Sequence, residues 1–110
     1  MSTLWHLTCS DHGAPGIRAS GLVLPNLRAM LPLAWFTSDP DVPREALGLT
    51  SHALTCDRTA CRFAATNRRH LIPWRHYAAP HPIRRLLESA PGVDPALWWV
   101  STRPVPVAIP

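Results

Sequence analysis

His6 and Thr8 stand two residues apart in the apolar stretch TLWHLT and are the first side chains along the chain that could do chemistry. In an extended segment that spacing turns both to one side together with Leu4, while Trp5 and Leu7 face the other. A neutral imidazole donates from one ring nitrogen and accepts at the other, and a threonine hydroxyl does both, so the pair suits a hydroxyl-rich ligand. A histidine on a half-buried strand is by default a core residue bonded to backbone. Thr8 beside it and a strand-to-helix turn after it strengthen the ligand reading without displacing that default.

The other candidate cluster is metal-like. Cys9-x-x-His12 has ligand spacing, and His52, Cys56 and Cys61 follow downstream, so Cys9, His12, Cys56 and Cys61 could supply a tetrahedral zinc site. The interval from Cys56 to Cys61 is wider than the usual ligand pair, and both fall on expected strands, which favours buried thiols over zinc. An odd cysteine number fits reduced thiols better than a disulfide framework. No acid or amide can be assigned to orient a Cys/His nucleophile pair.

Residues 3–8 form the expected first strand. Ser10 or Asp11 can cap the helix that follows, Pro15 fits its first turn, Ile17 points inward, and Gly21 stops it after Ser20. Leu22 to Leu24 continue extended into a Pro25-Asn26 turn, and residues 33–37 make a second principal strand ended by Ser38 to Asp41. A short helix over 44–47 stopped by Gly48 leads to two antiparallel strands, 50–57 and 62–66, joined around residues 58–60. Pro82 opens a helix over 83–90 whose Ile83, Leu86 and Leu87 share a face. Residues 97–101 form a last strand. Neighbours Trp98 and Trp99 must face opposite ways, and the Pro104-Val105-Pro106 tail is confined to an edge. The pattern is a single α+β domain over residues 1–110, mainly antiparallel sheet with two or three short helices.

Composition narrows the partners. All basic side chains are arginine, 11 against 7 acids, giving +4, and the planar guanidinium fork suits phosphate or carboxylate. No like-charge block exceeds the pairs Arg68-Arg69 and Arg84-Arg85, which disfavours nucleic acid. A chain 46% hydrophobic and only 16% charged implies an apolar surface and makes a homodimer an expectation. Nothing approaches the roughly 18 apolar residues of a membrane helix, and no signal-peptide pattern opens the chain, so a cytoplasmic protein without membrane attachment is expected.

The ordered set His6-x-Thr8, GIRASGLVLPN and then WFT resembles the opening of the ADP-ribosyltransferase fold, as in small rifamycin-type ADP-ribosyltransferases, with a related order in RNA 2′-phosphotransferases. It spans about the first third of the chain. The segments ALGLTS, CDRT and PW are also similar to those of small actinobacterial and phage-type proteins. The first resemblance implies an NAD or other ribose-phosphate site. His6 would bond a ribose hydroxyl with Thr8 beside it, the two also being the catalytic candidates. Trp35 would stack on nicotinamide, with Thr37, Arg18 and Asn26 completing the cofactor contacts. Ile17 and Gly21 would hold the strand-to-helix corner.

Breaking the nicotinamide–ribose bond develops positive charge on the sugar, which an enzyme must meet with preplaced negative charge. The chain departs from the family here, because no acid stands directly after RFAAT, where Asn67-Arg68-Arg69-His70 follow, and none lies in 97–110, Glu88 and Asp94 being the only late acids. Either the chain transfers by the arginine-and-histidine chemistry of the phosphotransferase branch, with Arg18, Arg58 and Arg62 as phosphate forks, or it binds without catalysing. The competing class is a small non-catalytic inhibitor or regulator, of phage or mobile-element type, that docks an acidic protein through Arg68-Arg69 and Arg84-Arg85.

Overall fold

A computed structural model describes residues 2–49 and 57–110. The strands are β1 (Trp5–Thr8), β2 (Leu22–Val23), β3 (Ala34–Thr37), β4 (Cys61–Ala64), β5 (Ile72–Pro73), β6 (Trp98–Ser101) and β7 (Val105–Pro106), and the helices are α1 (Ala14–Ser20) and α2 (His81–Glu88). Five strands form one antiparallel sheet in the order β4-β1-β3-β6-β5, and β2 pairs with β7 in a second. The α+β class with mostly antiparallel sheet is therefore present. The strand expected over 50–57 lies, but for Asp57, outside the described residues.

Directly opposed residues of an antiparallel ladder share a face. Trp35 opposes Val100 and Thr37 opposes Trp98, whereas Phe36 opposes Trp99. The two neighbouring tryptophans thus serve opposite sides, as the sequence demands. On one side Leu4, Phe36 and Phe63 pack under α1 and the β2–β7 pair, through Ile17, Val23 and Val105. On the other side Leu33, Trp98 and Val100 pack against Trp74, which is 1% exposed, and against Ile83 and Leu87 of α2.

Local chemistry fixes the corners. Gly21 ends α1 at φ 72°, its N–H bonding the Ile17 carbonyl at 2.7 Å, a left-handed stop that glycine adopts without Cβ strain. The expected side-chain cap is absent. Gly13 takes the N-cap position with no side-chain bond, and the Ser10 hydroxyl reaches Asp11 instead. The Ala14 N–H is satisfied by the Cys9 carbonyl at 3.1 Å, so backbone replaces the cap.

Ile83, Leu86 and Leu87 share a face as expected, all three lining one cavity, although Leu86 stays 58% exposed. The short β5 strand and its continuation into a single 3₁₀ turn at Trp74–His76 have no counterpart in the sequence reading. Pro73 there is tolerated because β5 is the sheet's edge. The Pro104 to Pro106 tail is also an edge, paired through β7 to β2 alone and bridged at Val107 to Ala65 beside β4.

Candidate ligand cavity between β1 and β3

The two central strands barely pair. Trp5 opposite Thr37 is the single register pair between β1 and β3, whereas β1 with β4 and β3 with β6 make four each. Continued by one residue the ladder would bring His6 opposite Phe36, and by two, Leu7 opposite Trp35. Instead the Trp35 carbonyl lies 2.7 Å from Nδ1 of His6. The imidazole bridges the gap where the strands part.

That bond settles the tautomer. A carbonyl only accepts, so Nδ1 carries the proton. Burial pushes the His6 pKa below 6.5, outweighing the opposing pull of the Trp35 carbonyl, so the ring is neutral at pH 7. Nε2 is then a bare acceptor with no hydrogen-bond partner among the described residues. The ring also sits 5.5 Å from that of Phe36.

The gap opens into a cavity of about 370 Å³ lined by His6, Trp35, Thr37 and Trp98 from the sheet, by Ile83 and Leu87 from α2, and by Met30, Leu49 and Arg58 from loops. That volume lies within the range of about 300–1,000 Å³ usual for small-molecule sites. Trp35 is half-buried between the rings of Trp74 and Trp98, with centroids 5.2 and 5.8 Å away. The Trp98 indole N–H donates to the Ala46 carbonyl at 2.9 Å, which docks the turn bearing Leu47 to Leu49 onto the wall. Among the described lining residues Arg58 is the one formal charge and none is acidic.

Of the residues singled out in the sequence, His6, Trp35 and Thr37 meet at this cavity, and Thr8, Arg18 and Asn26 do not line it. Thr37 is 3% exposed and its hydroxyl is held in its own turn, donating to the Asp39 carbonyl and accepting from its N–H, both at 3.1 Å. A Cβ added to Gly13 would fall 1.8 Å from Thr8 Oγ1, which places Thr8 in the strand-to-helix corner. Arg18 is exposed, 5.7 Å over the Phe63 ring. The Asn26 side chain accepts from the Arg28 N–H at 3.1 Å and organises its turn.

The cavity residues that sequence reasoning passed over are Trp98, Met30 and the α2 pair Ile83 and Leu87. The amphipathic pattern of α2 was the available signal. For the metal reading, Cys9 Sγ and His12 Nδ1 lie 3.4 Å apart, Cys61 opposes Thr8 on β4, and Cys56 is outside the described residues. Among the described residues no three His, Cys, Asp or Glu side chains converge on one point. The arginine pairs expected to form a docking face are partly tied into the fold. Arg84 bonds Glu88 at 3.2 Å and covers Trp74, and Arg68 bonds the Ser2 carbonyl at 2.7 Å and covers Trp99.

No family model, curated protein or solved structure matches this chain.

Proposed function

We propose that this protein binds NAD, or another ribose-phosphate ligand, in the cavity between the strand of His6 and that of Trp35. The observation that carries this reading is the parting of β1 from β3, bridged by a neutral imidazole whose proton is fixed on Nδ1. A ribose hydroxyl can donate to the bare Nε2. The half-buried Trp35 and the apolar side chains around it give a flat ring a wall to lie against. The resemblance of the opening third to ADP-ribosyltransferases supports the same assignment.

Binding and catalysis separate at this site. Cleaving NAD needs negative charge near the forming oxocarbenium ion, and the described lining supplies a cation and no carboxylate. The reading is therefore of a binding protein, and nicotinamide release is the assay that would reassign it as a transferase.

Thermal unfolding with and without NAD tests the proposal. Ligand at a hundredfold excess over Kd stabilises the folded state by about 2.7 kcal/mol, a rise of several degrees for a domain of this size. A cooperative transition that NAD leaves unmoved at millimolar concentration contradicts it.

A further inference from the structure

Among its described lining residues the cavity joins apolar walls to a single cation, and we infer that Arg58 is its anion contact, so that the occupant is an aromatic or otherwise apolar molecule bearing an anionic group. Arg58 is half-buried and lines the cavity. Its guanidinium makes no hydrogen bond, ion pair or ring contact among the described residues. By contrast Arg62 pairs with Asp41 at 3.0 Å and Arg84 with Glu88 at 3.2 Å. The neighbouring Asp57 forms no ion pair with Arg58. Its Oδ1 accepts from the Thr59 N–H at 2.8 Å and from the Thr59 hydroxyl at 2.7 Å.

A half-buried guanidinium loses hydration, and an acceptor on a ligand can replace it. Ile83, Leu87 and Trp98, whose indole N–H is taken by the Ala46 carbonyl, offer no free polar partner, so the part of the occupant against them is apolar. With Arg58 the one formal charge in the described lining and no acid there, the lining favours an anion over a cation. Any aromatic carboxylate or phosphate satisfies this description, and a nicotinamide nucleotide meets it through its phosphate, with its ribose hydroxyls left to His6. The inference rests on the cavity being the binding site and not on NAD being its occupant.

Two dyes test it. Anilinonaphthalene sulfonate is an aromatic anion, and N-phenylnaphthylamine has the same ring system without the sulfonate. The full chain binds the sulfonate saturably. Arg58→Gln weakens that binding about tenfold or more, leaves the affinity for the uncharged dye unchanged, and keeps the parent's unfolding temperature. Arg58→Lys retains most of the sulfonate affinity. Should Arg58→Gln fail to fold, salt gives the same reading on the parent, weakening the sulfonate and sparing the uncharged dye. The inference is overturned if Arg58→Gln binds the sulfonate as tightly as the parent, if both dyes weaken together, or if the parent does not bind the sulfonate. If NAD leaves the parent's unfolding unmoved while the dyes behave as stated, the NAD reading falls and this one stands. If NAD binds but the sulfonate ignores Arg58, the reverse holds.

Discussion

His6 closes a gap in the sheet at Nδ1, and under the proposed function its Nε2 meets a ligand. The first of these can be measured without any ligand. Its pKa is lowered in the folded protein, from 6.5, because burial disfavours the charged ring. The unfolded chain therefore takes up the proton first as pH falls, so this contribution to stability is complete above pH 6.5 and is lost progressively below it. The unfolding temperature should fall from about pH 8 to pH 5, and His6→Ala should remove that part of the slope. The same variant leaves the Trp35 carbonyl unpaired at a cost of about 1–3 kcal/mol. Gly13 gives a second test at this scale. Gly13→Ala drives a methyl to 1.8 Å from Thr8 Oγ1, and should cost about 1–3 kcal/mol in denaturant unfolding. Thr8→Ala in the same chain should restore part of that loss, since it deletes the clashing hydroxyl. Thr8 was legible in the sequence as a partner of His6 and not as a wedge against a glycine five residues on, because alternation along a strand reveals direction and not neighbours.

At the scale of elements, α2 is a wall of the cavity held from outside. The Trp74 indole N–H donates to Glu88 Oε1 at 3.0 Å, and Arg84 reaches the same oxygen at 3.2 Å while lying 4.5 Å over the Trp74 ring. Arg84 also donates to the Tyr77 carbonyl. Glu88→Ala should cost about 1–3 kcal/mol by stranding the indole N–H and freeing the end of α2, read as a lower midpoint in urea. Its cycle with Arg84→Ala should show coupling, since the pair shares one oxygen. Glu88, a late acid weighed in the sequence for catalysis, thus serves as the anchor of a helix. The long apolar segments of β1, β3 and β6, the glycine stop of α1 and the place of α2 were all legible, because periodicity and punctuation are local. The edge strand at Ile72–Pro73 was not, being two residues long and defined only by pairing with β6. Nor was the parting of β1 from β3, since no pattern along either strand records how far away its partner lies.

Across the whole molecule the arginine-only composition acquires a structural meaning. Arg18, Arg62, Arg68 and Arg84 lie 5.7, 5.8, 4.9 and 4.5 Å from the ring centres of Phe63, Trp5, Trp99 and Trp74. A planar guanidinium stacks on an aromatic face where an ammonium makes a point contact. Replacing all four by lysine keeps the charge at +4 and should still lower stability by about 2 kcal/mol, at roughly 0.5 kcal/mol each, seen as several degrees in thermal unfolding. Part of the excess charge that pointed from sequence to an anionic ligand is thus structural, and Arg58 is the arginine that lines the cavity. The central claim is that this cavity holds the ligand, and amide and indole NMR of the labelled chain titrated with NAD tests it most directly. The account predicts saturable shifts confined to His6, Trp35, Arg58 and the Trp98 indole, absent from the His6→Ala variant. Shifts centred instead on Arg18 and Asn26, or none at millimolar NAD, would contradict it.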